Sequence, residues 1–468
     1  MGISHYTNHF YWRNPLDDLL FRSYGAGAIV LDISHATICR NCLLFIIEKF
    51  GMKKGIITLY CLFQLAGLNA QLSKDVFYAS LFGKDSLVDY VLKHRNEFRL
   101  QFIVTDIQRD ENGKEEFINY DFTTGEYFYP ASMVKLPTAI AMMEIMDSLN
   151  VPMKSFLKMN SDVSCGNNSF ADLSRKKNIP ISLAMEDMLS ISNNQYYSMF
   201  FHAVSPEVLN RKLLTTGILN TKIYSSFSGC YRGKNVETNS YKLFLPDGTL
   251  KFSKAKIVLD SSKYMGRLPY TSQKLIGKYV FDNGAKIEKP FDFNYHLDFP
   301  LIDIHGTLFR LVFPSHFIDS ERFKLSLDSR KFLLKCMANF PSEMSNKAYH
   351  NPTAFPNNYF KYAIIGDNAK LSESGKYRTF SKIGISYGFV TESAYIVDFE
   401  NKKDFLFSVS MYVNQDGVVN DGAYEYNKIA RPFIASFTRI IQSVLPKPIV
   451  EGEINTNEYF KFLNELIE

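Results

Sequence analysis

The sequence predicts an α+β domain, in which helices pack on an antiparallel sheet whose strands come from both ends of the domain. Three observations support this prediction. A strand candidate at 98–110, a turn with the sequence ENGK and an alternating segment at 115–122 indicate a hairpin. Three further strand candidates follow one another over 377–414. A segment with helical periodicity, 424–445, closes the domain.

Between the two groups of strands the sequence is mostly helical. Helical segments are predicted over 85–95, from near Ser132, over 182–201 with a break at its Ser-Asn-Asn, over 205–217, within 305–313 and within 328–340. Residues from about 229 to 300 change character and are rich in Tyr, Lys and Phe, with one hairpin signal at Pro246-Asp247-Gly248. We interpret this segment as an inserted lid or subdomain.

Composition excludes some classes of function. The chain of 468 residues has a net charge of +5, too small for a dedicated nucleic-acid binder, and its 46% hydrophobic residues are typical of a globular protein. No His, Cys and carboxylate cluster has metal-ligand spacing, and the single C-x-x-C at Cys39 and Cys42 is weak evidence for zinc. We therefore predict no metal and no cofactor. The oligomeric state and any disulfide remain open.

The segment MKKGIITLYCLFQLAGLNAQ, which begins at Met52, has the layout of a secretory signal peptide. A basic start precedes a short apolar run, and Ala70 precedes the expected cleavage point. The alternative is a buried core segment. We predict a signal peptide at 52–70, export to the periplasm or outside the cell, and no stable membrane span after its removal. Residues 1–51 are then an upstream extension from a misassigned start codon, 71–446 the domain, and 447–468 a C-terminal tail.

An S-x-x-K pattern occurs four times, beginning at Ser132, Ser155, Ser174 and Ser253. Only Ser132 opens a predicted helix, where a spacing of three places the serine hydroxyl and the Lys135 amine on one face. A serine needs an adjacent base to attack a carbonyl carbon, and a lysine desolvated in a pocket can have its pKa lowered enough to serve. The free N–H groups at a helix N-terminus also suit a developing oxyanion.

Two further motifs follow in order. Ser192-Asn193-Asn194 lies about sixty residues after Ser132, in a predicted interhelical loop, and Lys382-Ile383-Gly384 lies on a predicted strand. Together the three motifs resemble the S-x-x-K, S-D-N and K-T-G motifs of the penicillin-recognising serine enzymes, and their spacing is similar to that of the class A β-lactamases. The resemblance covers about residues 76–446. It implies a β-lactamase/D,D-peptidase-like fold, with an antiparallel sheet flanked by helices plus an all-helical lobe.

The resemblance also implies roles for individual residues. Ser132 is the expected nucleophile, Lys135 takes its proton, and Ser192 relays a proton to the leaving nitrogen. For substrate binding it implies Asn194, Lys382, Gly384, Ile385 and Ser386. Among these, Lys382 attracts the substrate carboxylate, and the N–H groups of Ser132 and Ile385 form the oxyanion hole.

Some positions depart from the family pattern. Ile383 stands where the family has a threonine, and Ser386 is the expected partial substitute. Asn193 replaces an aspartate. The stretch about 35 residues after Ser192, where class A enzymes place a glutamate that activates the hydrolytic water, contains no carboxylate over 222–235. Glu237 is the nearest downstream candidate for a replacement base.

Three hypotheses follow from the resemblance. The first is a class A β-lactamase-type hydrolase that forms an acyl-enzyme on Ser132 with a small-molecule β-lactam. The second is a related D,D-peptidase, transpeptidase or esterase that acts on cell-wall peptide or another ester. The third is a sensor that binds β-lactams and does not turn them over. The absent glutamate favours the second hypothesis, and the family resemblance favours the first.

Overall fold

The computed structural model of the protein describes residues 72–110, 113–163, 168–227, 235–260, 274–294 and 296–446. The described residues divide into two units, 72–80 and 81–446. The described residues of the first unit form one helix, α1 (Lys74–Ser80). The predicted signal peptide, upstream extension and C-terminal tail lie outside the described residues, as does the C-x-x-C pair.

The second unit has a main sheet of five antiparallel strands, in the order β12-β13-β14-β1-β2. These strands are β1 (Gln101–Arg109), β2 (Glu115–Phe122), β12 (Tyr377–Ser386), β13 (Phe389–Asp398) and β14 (Lys403–Tyr412). Strand β1 pairs with β14, with Phe102 opposite Val409, so the two ends of the domain meet in one sheet. The predicted hairpin and the predicted three-strand meander are both confirmed.

The described part of the second unit contains nine α-helices. They are α2 (Ser86–Lys93), α3 (Lys135–Ser148), α4 (Ser169–Lys176), α5 (Ile181–Ser190), α6 (Asn194–Val204), α7 (Pro206–Thr215), α8 (Leu301–Val312), α9 (Leu327–Ala338) and α10 (Arg431–Val444). The predicted helices are confirmed with ends shifted by a few residues, whereas α4 was not predicted. Caps define several of the ends. For example, the Asp85 carboxylate accepts the Leu87 and Val88 N–H groups at the start of α2.

The helices form two groups around the sheet. Helix α8 packs on strands β1, β13 and β14. On the opposite face the Phe437 ring of α10 contacts the Phe102 ring, with 5.1 Å between their centroids. Helices α3, α5, α6, α7 and α9 pack on one another and form a helical lobe beside the edge strand β12. The predicted α+β class, an antiparallel sheet flanked by helices with a helical lobe, is confirmed.

The segment predicted as an insertion consists of short strands. They are β4 (Asn235–Thr238), β5 (Tyr241–Phe244), β6 (Leu250–Lys254), β7 (Ile257–Asp260), β8 (Leu275–Ile276), β9 (Tyr279–Asp282), β10 (Ala285–Ile287) and β11 (Phe291–Asp292). Strand β5 pairs with β6 across a turn in which Gly248 has φ +88°, so the predicted hairpin is confirmed. Strand β5 also pairs with β3 (Phe156–Met159), and β9 pairs with β15 (Val418–Val419). These pairings attach the segment to the body of the domain.

The described residues contain neither a membrane-spanning helix nor a cluster of metal ligands. No helix in this part of the chain is long and apolar enough to cross a membrane. The same residues contain no group of three His, Cys, Asp or Glu side chains that could hold a metal ion.

Candidate active site

Ser132 lies in a short 3-10 turn, Ala131–Val134, that leads directly into α3. Lys135 is the first residue of that helix. The turn is conformationally constrained, because Ala131 has φ +44°, in the left-handed region that residues with a side chain rarely adopt. The sequence predicted a helix from Ser132, and the structure places the serine in the 3-10 turn instead.

The turn contacts the edge strand β12 at Gly384. A Cβ atom at this position would collide with the Pro130 carbonyl oxygen and would lie 3.0 Å from the Ser132 nitrogen. Only a glycine allows the two backbones to approach this closely. The third motif is thereby placed against the first, and Ile385 follows as the next residue of the strand.

Lys135 is fully buried, and its amine is surrounded by oxygen atoms of the first two motifs. Its Nζ lies within hydrogen-bond distance of Ser132 Oγ at 2.9 Å, of the Ser192 carbonyl oxygen at 2.5 Å and of Ser192 Oγ at 2.9 Å. It also lies 2.7 Å from Asn194 Oδ1. None of these partners carries a charge that would hold the ammonium form.

Burial therefore lowers the pKa of Lys135 well below its usual value, and the nearby charge of Lys382 lowers it further. Burial thus favours the neutral amine of Lys135 over its ammonium form. Its amine lies within hydrogen-bond distance of the Ser132 hydroxyl, so it can accept the hydroxyl proton when the oxygen attacks a carbonyl carbon.

Ser192 connects the two lysines of the site. Its backbone is strained, with φ +61°, in the loop between α5 and α6. Lys382 Nζ donates to Ser192 Oγ at 3.0 Å and to the Ile383 carbonyl oxygen at 2.8 Å. One hydroxyl thus contacts both amines, which is the arrangement that a proton relay needs.

Lys382 is also buried, and burial, together with the charge of Lys361, lowers its pKa to about 7. Gly384 and Ser386 lie on the same face of β12 as Lys382, because side chains alternate along a strand. Ile383 points to the opposite face and is fully buried opposite Glu392. The position at which the family has a threonine therefore carries a core side chain here.

Two residues that no sequence motif identified, Asp187 and Tyr349, support the Ser192 loop. The Asp187 carbonyl oxygen accepts the Asn193 N–H at 3.1 Å, and its buried carboxylate accepts the Tyr349 hydroxyl at 3.3 Å. Burial raises the pKa of Asp187 to about 6. Asn193 itself caps α6 by accepting the Gln195 N–H at 2.9 Å, so this position of the motif has a structural role. Asp187 lies only a few residues before the motif, but no sequence pattern marks it.

The Phe227 ring also lies beside the Lys135 amine. The amine lies 5.4 Å from the centre of the Phe227 ring, which packs on Tyr197 at 4.6 Å. The Phe227 N–H donates to Ser198 Oγ at 3.2 Å and fixes the loop on α6. Phe227 lies about 35 residues after Ser192, at the spacing expected for a water-activating carboxylate, and it brings an aromatic face instead.

Glu237, the candidate replacement base, is placed elsewhere. It lies on β4, and its carboxylate forms an ion pair with Lys256 at 2.8 Å. It is not among the described residues that contact Lys135. The structure thus brings together Ser132, Lys135, Ser192, Asn194, Lys382 and Gly384, and it leaves Glu237 outside this group.

The chain matches one known protein family over part of its length. A model of the β-lactamase enzyme family matches residues 85–249, a segment that includes the first two motifs and ends before β12. A comparison with curated protein sequences found no match.

Three solved structures illustrate the similarity. The TLA-3 extended-spectrum β-lactamase is 14% identical, with 78% of this chain and 99% of that chain covered and a TM-score of 0.43. A β-lactamase from Sphaerobacter thermophilus DSM 20745 is 13% identical, with 79% and 99% covered and a TM-score of 0.42. A β-lactamase from Burkholderia ambifaria is 11% identical, with 77% and 99% covered and a TM-score of 0.43.

The fold of the second unit is β-lactamase-like. Its matched segment and its site together support a hydrolase of the serine β-lactamase type.

Proposed function

We propose that residues 71–446 form an exported serine hydrolase of class A β-lactamase type, which forms an acyl-enzyme on Ser132 with a β-lactam or a related acyl or amide substrate and then hydrolyses it. The observation that carries this proposal is the fully buried Lys135 amine, which lies 2.9 Å from Ser132 Oγ and has no carboxylate partner among the described residues. The signal-like segment at 52–70 supports export, to the periplasm or outside the cell.

In the proposed acylation, Ser132 Oγ attacks the substrate carbonyl carbon while its proton passes to the neutral Lys135 amine. The carbonyl oxygen becomes an oxyanion beside the N–H groups of Ser132 and Ile385. When the carbon–nitrogen bond breaks, Ser192 Oγ gives its proton to the leaving nitrogen and takes one from Lys135. The positive charge of Lys382 attracts the substrate carboxylate.

A second candidate function is favoured by Phe227. Its ring lies next to the Lys135 amine, where a carboxylate could activate water for deacylation. A slow deacylation suits a D,D-peptidase, transpeptidase or esterase that acts on cell-wall peptide or another ester. A sensor that acylates and stays acylated is a third candidate, which the absence of a carboxylate beside Lys135 also favours.

A labelled penicillin distinguishes these candidates. We expect the folded chain to gain one acyl group, measured by intact mass, and Ser132→Ala to abolish labelling. Lys135→Ala should slow acylation by roughly a hundredfold or more, because it removes the general base. Ser253→Ala, in an exposed S-x-x-K pattern on β6, is the matched control and should label normally.

The lifetime of the adduct then separates the hypotheses. Loss of the acyl group within seconds supports a β-lactamase, and persistence for hours supports a peptidase or a sensor. Labelling of Ser132→Ala at the rate of the unchanged chain would overturn the proposal.

A further inference from the structure

Five aromatic side chains form one cluster beside the candidate active site. This aromatic cluster consists of Tyr129, Phe291, Phe293, His296 and Tyr387. The Tyr387 ring lies 5.3 Å from the Tyr129 ring and 5.2 Å from the Phe291 ring, and the Phe293 ring lies 5.4 Å from the Tyr129 ring. Phe291, Phe293 and His296 come from the end of the segment predicted as an insertion. The cluster therefore joins that segment to the body of the domain.

Two members of the cluster belong to the chain segments that build the site. Tyr129 precedes Pro130, whose carbonyl oxygen contacts Gly384, and it lies three residues before Ser132. Tyr387 directly follows Ser386, at the end of β12. The cluster thus lies next to the contact between the 3-10 turn and β12, with one ring from the segment before the turn and one from the end of the strand.

The cluster also lies on the face of the sheet that carries the site. Lys382, Gly384 and Ser386 share one face of β12 because side chains alternate along a strand. Phe389 stands opposite Ser386 in the strand register and so shares that face. The Phe293 ring lies 6.3 Å from the Phe389 ring, which places the cluster on the same side.

The five side chains of the cluster differ in how deeply they are buried. The Phe293 side chain is fully buried and Tyr129 is nearly so. Phe291, His296 and Tyr387 are half-buried, so each presents part of its ring outside the packed core. A fixed set of aromatic rings with partly open faces binds flat apolar groups through stacked and edge-to-face contacts.

We propose that the aromatic cluster is a specificity-determining wall of the acyl site, which binds an aryl group in the acyl part of the substrate. The inference rests on the proposed acylation of Ser132 and adds the class of substrate that the site prefers. It also assigns a role to the end of the inserted segment, which supplies three of the five rings.

The test uses two penicillins that differ only in their acyl side chain, one phenylacetyl and one acetyl. The measured quantity is the ratio of their second-order acylation rates, followed by intact mass. We expect the unchanged chain to prefer the phenylacetyl compound by about tenfold, the size of a good aromatic contact. Phe291→Ala and Tyr387→Leu should each reduce that ratio at least threefold. Phe281→Ala, an exposed ring on β9 of the same segment, is the control and should keep the ratio.

The outcomes separate this inference from the proposed function. If neither penicillin acylates the folded, unchanged chain, the proposed function fails and the inference with it. If both acylate it and the ratio is the same in every variant, the cluster serves only packing and the inference alone is overturned. Should Phe291→Ala not fold, Phe291→Leu keeps an apolar side chain without a ring face, and the ratio must still fall.

Discussion

At the scale of single residues, we infer that Lys135 favours acylation of Ser132, whereas Phe227 disfavours the later removal of the acyl group. Burial makes Lys135 a suitable base for acylation, because the ammonium form has lost its water and gained no counter-charge. The Phe227 ring brings neither a proton acceptor nor a hydrogen-bonding group for water to the same amine. We therefore propose that the site is equipped for attack by Ser132, and we predict that Phe227 limits the removal of the acyl group.

Replacement of Phe227 tests that limit directly. Phe227→Glu places a carboxylate next to Lys135, and we expect it to shorten the lifetime of the penicillin adduct at least tenfold, since a positioned general base contributes about 10²–10⁴-fold. The measurement is the loss of the acyl group, followed by intact mass after excess penicillin is removed.

Phe227→Leu is the control, because it opens space beside Lys135 without supplying a base. An adduct that disappears equally fast in both variants would show that access of water, and not a missing base, controls deacylation. An unchanged lifetime in Phe227→Glu would contradict the role assigned to Phe227.

At the scale of elements, the contact between the 3-10 turn and β12 holds the three motifs in one place. Gly384 allows the Pro130 carbonyl oxygen and the Ser132 nitrogen to lie against the strand. Lys135 on α3 and Ser192 between α5 and α6 then meet through the packing of α3 on α6. The geometry of the nucleophile depends on these packed elements more than on any single hydrogen bond.

Gly384→Ala should disturb this contact. The added methyl group has no space, and overpacking of this kind destabilises a protein by about 1–3 kcal/mol. We expect a lower midpoint of thermal unfolding and acylation slowed at least tenfold, since Ser132 must shift with the turn. Both are measurable on the purified protein by calorimetry and penicillin labelling.

Gly306→Ala, within α8, is the matched control. Its Cβ would meet the far end of the flexible Arg310 side chain at 3.1 Å and lie in ordinary contact with Ile218 Cδ1 at 3.5 Å, and alanine favours a helix more than glycine does. A Gly384→Ala variant that unfolds and labels like the Gly306→Ala variant would show that the close approach is not needed.

At the scale of the whole molecule, the strand and helix pattern was sufficient to predict the class and the sheet. The predicted strand segments became β1, β2 and the meander β12–β14. Strand β2 alternates as a half-buried strand does, whereas β1, β13 and β14 are buried on both faces. The three motifs were also predicted together, since each combines chemistry with a recognisable local context. In the structure, Ser132, Ser192 and Asn194 lie within hydrogen-bond distance of Lys135.

Other parts of the site left no readable trace in the sequence. In the sequence alone, Phe227 looks like an ordinary core aromatic residue and Asp187 like an ordinary helix residue. Only the structure shows that the Phe227 ring lies beside Lys135 and that Asp187 contacts the Ser192 loop. Glu237 was chosen for its position along the chain, which carries no information about distance in space. Such contacts depend on how distant segments pack, and a single sequence has no local pattern for that.

The charge states of the two lysines predict how the whole molecule responds to pH. Burial lowers the pKa of Lys382 to about 7, so its positive charge is present below that pH and is lost above it. With a penicillin, which carries a carboxylate, kcat/KM for acylation should therefore fall as pH rises above about 7. With a neutral aryl ester it should not fall, because the neutral Lys135 amine persists at higher pH. If kcat/KM changed with pH in the same way for both substrates between pH 5 and 9, this assignment of the lysines would be contradicted.

The most direct test of the account is the location of the acyl group. The chain is incubated with a penicillin at neutral pH, digested, and its peptides are sequenced by mass spectrometry. We predict one acyl group per chain, attached to Ser132 in the peptide that contains Lys135. An acyl group on another residue, or none on a chain shown to be folded, would contradict the assignment of Ser132 as the nucleophile.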